Sequence, residues 1–503
     1  MSMHALKSAH QALRCAFLSA MFCLSGSALA ASCPEPLESL GGDNWKQISE
    51  LSWKSEGHNF EPNQSFHPGA EGRHVSNDLL SGRWQPQAAA GQLDWQLSTH
   101  YPFAGVWNYQ EIIGDKSRIE GRDGFRPSYE MTPARRHTRL VNMLQRFPAL
   151  LFLHGNYEET ENVCYVLVNH PTGQWRVWLN PTTGLPRRVV HKEQDALFGE
   201  VENSTAYEDW RQVEGLWLPL RLEQKVHNKL IRRERLYDFR FSTEPVAYDE
   251  AKTMARLNAE DVPEWAVNSA NFFQRRAAAG APMDTDPQGE IEFIEITPKI
   301  FQIAGGTHHS IVHVGRGSLV VVGAPWGERR SKAVIKALNE RWPELPISHL
   351  ILTHHHNDHS AGLMSFVEAG VSLVMGVPSR HYFGTVFAKS GRRNISSKTV
   401  ADEYRLNAFG ELIELYKVPN SHAEGMLAVY IRNDKTLITS DLYSPGRDAQ
   451  HPIWSKELVD AIEWLNIDVK RVVGTHGRGD ISFADMKENV EELQLSHQIA
   501  EED

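Results

Sequence analysis

The chain has 503 residues, of which 41% are hydrophobic and 23% charged, with a formal net charge of −11. That length excludes a single typical core and predicts about two to four domains, and the composition excludes a disordered or low-complexity protein. An acidic chain with no basic, aromatic-interleaved stripe lacks the electrostatic attraction that dominates nucleic-acid binding, so no nucleic-acid partner is expected.

In chain order, Lys7 and Arg14 precede the apolar run CAFLSAMFCLSGSALA, which ends in Ala28-Leu29-Ala30. This is the pattern of a signal peptide over residues 1–30, cleaved after Ala30. The run is short for a membrane span and no later stretch reaches the required length, so no transmembrane segment is expected. The mature protein is therefore expected in the periplasm or secreted. Cys33 follows Ala30-Ala31-Ser32, a poor copy of a lipoprotein processing site because the usual leucine is missing; lipid anchoring there is the weaker reading. Processing leaves Cys33 and Cys164, which could pair in an oxidising compartment.

Residues 31–260 read as a β-rich domain. VCYVLVNHPTGQWRVWLNPTTGLPRRVV alternates β-branched and aromatic runs with turn residues, and TAYEDWRQVEGLWLPLRLEQKV and LIRRERLYDFRFS continue the rhythm. An antiparallel sheet is expected. From Val163 to Phe241, and most in the stretch Tyr207 to Pro219, it distantly resembles the half-barrels of periplasmic lipoprotein-carrier proteins. That resemblance implies a concave face able to hold acyl chains, but aromatic strand residues more often form core, so a role supporting the neighbouring domain is favoured.

Residues 261–290 contain RRAAAGAPMDTDPQGE, a linker by composition. From 291 to 503, strand candidates such as GSLVVVG and HLILT alternate with amphipathic runs such as SKAVIKALNERW, which predicts an α/β layered domain. The fold class is α/β here and α+β over the whole chain.

HLILT runs into THHHNDHSAG. In a locally extended chain, residues two apart face the same way, so His354 and His356 can converge on one ion while His355 points elsewhere. Asp358 and His359, in the turn that follows, can reach a second ion. His422, Asp441 and His476 also sit just past apolar strands, in VPNSHAEG, TSDLY and GTHG. Strand ends gathered at one sheet edge form a shared site, and imidazole with carboxylate suits Zn(II).

With these residues in order, the domain resembles the metallo-β-lactamase superfamily. His354-x-His356-x-Asp358-His359 matches that family's H-x-H-x-D-H signature, and His422, Asp441 and His476 match its later ligand motifs. The resemblance implies a C-terminal αββα sandwich and two Zn(II) ions per chain, with iron or manganese as alternative metals. It puts His354, His356 and His422 on one metal, Asp358, His359 and His476 on the other, and Asp441 between them. It also implies hydrolysis of a small-molecule ester, lactone or amide by a hydroxide held between the metals, with Asp358 as the catalytic residue that orients it or shuttles its proton. The bridging acid favours the wiring of glyoxalase II and lactonase members. Three alternatives remain: a mononuclear iron thiol dioxygenase, a β-lactamase-type amide hydrolase, and a carrier protein with a vestigial metal domain.

Several further residues stay open. In GGTHHS, His308 or His309 contacts substrate or is an ordinary polar loop residue. Tyr443 is expected to pack, while Ser360 and Ser421 could hydrogen-bond to ligands. Gly323 stands where many members of the family have an acid that supports the metal site.

Overall fold

The computed structural model describes residues 34–102, 104–114, 117–121, 129–131, 133–159, 164–244, 291–392, 394–447 and 450–502. The expected signal segment 1–30 and linker 261–290 lie outside these residues. Among the described residues no helix is long and apolar enough to cross a membrane.

The strand Glu50–Glu61 buries Trp53, Ser55, Gly57 and Asn59 and exposes the residues between them. Such alternation is what a strand with one covered face produces. It lies next to the middle strand of a thirteen-stranded antiparallel sheet, paired with Arg73–Gln85 on one side and with that middle strand, Lys229–Ser242, on the other. One meander continues outward from Arg73–Gln85 to Tyr129–Glu130, and a second runs from Lys229–Ser242 back to Asn156–Glu159. Gly82 sits opposite Trp53 in the register. A Cβ at Gly82 would lie 2.2 Å from the Trp53 ring, so the indole crosses its neighbouring strand only because that residue is glycine.

Two helices that the strand rhythm did not predict, Pro133–Arg146 and Ala149–His154, contribute to the same core as the sheet. Phe147, between them, meets Trp53 edge to face at 5.0 Å. The first helix also buries three arginines. Arg135 and Arg139 both bond to Glu111, and Arg146 donates from Nε to Glu234 Oε1 at 2.9 Å. Arg232, on the last strand, joins Asp78 to Glu234. The interior is therefore filled by helix, aromatic rings and paired charges.

The second domain is built from two sheets. The first orders its strands Glu292–Thr297, Ile300–Ala304, Ser310–Val314, Leu319–Val322, Ile347–Ile351, Ser372–Gly376 and Ser397–Val400, antiparallel at the start and parallel from Leu319–Val322 onward. The second has six strands from Glu403–Ala408 to Asp480–Ser482. Ile311, Val320, Ile351, Val429, Ile438 and Val473 form the core between them. On the outer faces, Val334, Leu338 and Phe366 pack with one sheet, and Leu458, Ile462 and Met486 with the other. The layers are thus helix, sheet, sheet, helix, the αββα sandwich expected from sequence. Each such fully buried aliphatic contributes roughly 1.5–3 kcal/mol relative to exposure, so the strand ends above this core have a firm base.

Candidate metal centre

The strand Ile347–Ile351 ends just before THHHNDHSAG, and the chain turns into the short helix Asn357–Ser360. Ser360 Oγ donates back to the carbonyls of His355 and His356, tightening that turn. Gly362 lies against the helix Glu328–Arg341, where a Cβ would come within 1.9 Å of Ser331 Oγ. The final glycine of the motif thus permits a close approach that holds the loop down.

The other ligand-type residues arrive on loops at the same edge. Asn420 Oδ1 accepts from the backbone N–H groups of His422 and Ala423, at 2.9 and 2.7 Å, which shapes the loop that presents His422. Asp441 follows Thr436–Thr439 and His476 follows Arg471–Gly474. His308 bridges to His476 along the backbone, tying the loop after Ile300–Ala304 to the opposite sheet.

Two sets of imidazoles converge. In one, the ligand atoms of His354, His356 and His422 all lie within 4.8 Å of one another; in the other, those of His308, His359 and His476 do. Asp441 stands between them. Its Oδ2 is 3.0 Å from His359 Nε2, 3.3 Å from His354 Nε2 and 3.6 Å from His422 Nε2, and its Oδ1 is 2.9 Å from His476 Nε2. Burial alone would raise the Asp441 pKa, but the surrounding His359, His422 and His476 hold it well below the usual carboxylate range. Burial also keeps His354 and His356 well below the usual imidazole range and brings His422 down to about 3. These imidazoles are neutral, which is the form that ligates a metal.

The nitrogen atoms themselves show that these residues fit a divalent cation. His354 Nε2, His356 Nδ1 and His422 Nε2 are buried without a hydrogen-bond partner, and three convergent lone pairs of this kind are costly unless a cation meets them. In each ring the other nitrogen is engaged: His354 Nδ1 with Thr353 Oγ1 at 3.2 Å, His356 Nε2 with the Ser65 carbonyl at 3.0 Å, and His422 Nδ1 with Tyr101 Oη at 3.1 Å. At His356 the carbonyl partner, which can only accept, selects the tautomer that leaves Nδ1 open to metal, while at His354 the threonine hydroxyl holds the ring by its other nitrogen.

Asp358 lies beside the second set of imidazoles. Its Oδ2 is 4.0 Å from His359 Nε2 and 3.3 Å from His308 Nε2, while its Oδ1 accepts from Gln64 Nε2 at 2.7 Å. His308, which the sequence left between two roles, joins His359 and His476; His309 is buried nearby and enters neither set. His355 also enters neither set, and its Nε2 donates to the Ser65 carbonyl at 2.9 Å. Ser421 bonds to Glu457 instead of to a ligand, and Tyr443 is buried in the apolar core beneath.

At Gly323 the backbone has φ +80°, a left-handed turn that glycine adopts without strain. Support for His359 comes instead from two hydroxyls that sequence reading missed, Ser440 Oγ and Thr475 Oγ1, each 3.3 Å from Nδ1. Gln64, Ser65 and Tyr101 were missed as well. They come from the first domain, 290 to 321 residues from their partners in sequence, and carry no local signature.

Residues 303–476 match the family model described as the metallo-beta-lactamase superfamily. Among solved structures, DIM-1 metallo-beta-lactamase is 17% identical, with a TM-score of 0.34 over 41% of this chain and 98% of that one. A metallo-beta-lactamase from Pontibacter korlensis is 18% identical, with a TM-score of 0.33 over 41% and 99%. TMB-1 is 19% identical, with a TM-score of 0.33 over 41% and 98%. No curated protein matches the chain. The match over residues 303–476 lies within the second domain, which therefore carries the metallo-beta-lactamase superfamily model.

Proposed function

We propose that the chain is an exported zinc-dependent hydrolase with a two-metal site, acting on an ester, lactone or amide of a small molecule. The observation that carries this reading is the pair of histidine sets facing each other across Asp441, with three buried imidazole nitrogens left for a cation. A metal pair there supplies Lewis acidity toward the scissile carbonyl and lowers the pKa of water from about 15.7 toward about 7.

The chain's own residues perform the remaining tasks. His354, His356 and His422 form one ligand set, and His308, His359 and His476 the other. Asp441, ionised and buried, offsets part of the positive charge between them. Asp358 is the proposed acceptor of the proton that the attacking water loses, returning it to the leaving oxygen or nitrogen as the carbonyl bond breaks. Its Oδ1 is held by Gln64 and its Oδ2 faces His308, so the carboxylate is oriented for that transfer. Cys164 is disulfide-bonded. Such bonds persist in oxidising compartments, which supports export.

The test combines elemental analysis of protein purified without added metal with a panel of esters, lactones and amides. About two zinc ions per chain and turnover of at least one substrate class are expected. One iron per chain, or a full metal complement with no hydrolysis across the panel, would overturn the reading.

A further inference from the structure

The surroundings of the metal site are divided between the two domains. Where the strand Glu50–Glu61 turns back toward Arg73–Gln85, the first domain delivers Gln64 and Ser65 into the second, and Gln64 is 4% exposed. Tyr101, after the strand Ala90–Thr99, stacks on the His422 ring with centroids 6.3 Å apart. Arg73 lies over the Tyr101 ring at 4.3 Å and also donates to the His422 carbonyl at 3.3 Å. The backbone N–H of Glu424 donates to the Phe66 carbonyl at 2.8 Å, closing the seam.

Donors and acceptors can be followed through these groups in one consistent direction. Tyr101 Oη donates to Gln64 Oε1 at 3.2 Å, so toward His422 Nδ1 it acts as the acceptor. His422 then carries its proton on Nδ1 and leaves Nε2 for a metal, and Nε2 is the atom without a partner. Because Gln64 Oε1 accepts from the tyrosine, its amide nitrogen is turned toward Asp358 Oδ1, 2.7 Å away. The Ser65 carbonyl can only accept, so His356 must donate from Nε2 and leave Nδ1 for the metal. Nδ1 is likewise the unpartnered atom of that ring.

We propose that Tyr101 and Gln64 are positioning residues of the metal centre, forming a hydrogen-bonded chain from the first domain that links His422 on one metal set to Asp358 beside the other. The proposal rests on the two-metal reading above and adds that the second domain's ligand set reaches its working geometry only with the first domain docked. The role of the first domain is then to complete the site. Removing residues 31–260 should therefore lower metal content.

The test uses the full chain stripped of metal and titrated with Zn(II) against a chromophoric chelator, with Co(II) absorption as a second readout. Tyr101→Phe removes one oxygen, and Gln64→Leu keeps the bulk but not the amide. Each should weaken metal binding about 10- to 100-fold and change the Co(II) spectrum, as loss of a ligand's hydrogen-bond partner does elsewhere. Gln64→Glu keeps the acceptor for Tyr101 but sets a carboxylate against Asp358, so it should not restore wild-type binding, whereas a purely steric role predicts that it would. Wild-type affinity and spectrum in both Tyr101→Phe and Gln64→Leu would overturn the proposal alone. So would a lowered unfolding midpoint of the metal-free variants with unchanged affinity, the sign of simple interface packing. A wild-type chain that takes up no metal would overturn both this proposal and the hydrolase reading.

Discussion

Each domain buries a cluster of ionisable side chains, and the two clusters are closed in different ways. In the first domain, Arg146 and Arg232 meet Glu234, Arg232 also meets Asp78, and Arg135 and Arg139 share Glu111. Burial raises the carboxyl pKa values, but the adjacent guanidinium groups outweigh it, and Glu111 and Glu234 are each brought down to about 2. Charge meets opposite charge within the chain. In the second domain, two sets of imidazoles face one another across Asp441, with His354 Nε2, His356 Nδ1 and His422 Nε2 left over. A buried cluster that contains its own counter-charges is structural, whereas one that turns lone pairs inward is complete only when a cation arrives from outside.

The largest expected effect follows from breaking the second cluster. His354→Ala should lower the metal content of the chain and cost hydrolysis on the order of 1,000-fold, about 4 kcal/mol of transition-state stabilisation. Elemental analysis beside turnover of the best substrate checks this, and unchanged metal content would contradict the site. Glu234→Ala breaks the first cluster. It strands the buried Arg146 guanidinium, leaves Arg232 to Asp78 alone, and should destabilise the fold by about 3–5 kcal/mol in denaturant unfolding, with metal per folded chain unchanged.

A smaller effect separates the two clusters by pH. Burial holds the His354, His356 and His422 pKa values below the ordinary 6.5, so the unfolded chain takes up protons there before the folded one does. The metal-free second domain should therefore lose stability as pH falls below 6.5. Glu111 and Glu234 contribute stability that is fully present above 4.5 and is lost as pH falls toward 2. Between pH 6.5 and 4.5, among the described residues, the exposed His137 and the half-buried His170 weaken the first domain through lowered pKa values. Hydrogen exchange of the metal-free chain at pH 7 and pH 5 should show the second domain loosening more, and an equal response would remove the distinction. Smallest of all, His355→Ala should leave both metals bound, since the Ser65 carbonyl keeps His356 as a donor. Loss of metal in that variant would mean the register of the motif is wrong.

The second domain was more legible in sequence than the first, for reasons visible in particular residues. His354, His356 and His359 lie within six positions after a buried strand, so local geometry nearly determines where they point. In the first domain the helix Pro133–Arg146 was not legible. Its inward face carries Arg135, Arg139 and Arg146, a pattern that reads as a solvated face unless Glu111 and Glu234 are known to lie opposite. His308 shows the same limit, because only its backbone bridge to His476 decides which histidine of GGTHHS faces the metal centre.

The sequence alone determined the strand rhythm of the first domain, the layered second domain and the cluster of candidate metal ligands in the THHHNDHSAG loop, because each depends on side-chain periodicity or on spacing within a few residues. The tertiary structure decided which nitrogen of each imidazole is left for metal, that Asp358 is held between Gln64 and His308, and that the first domain reaches into the site. Those outcomes depend on hydrogen bonds between groups up to some 320 positions apart, such as Tyr101 and His422, and no local pattern records a partner that only folding brings near.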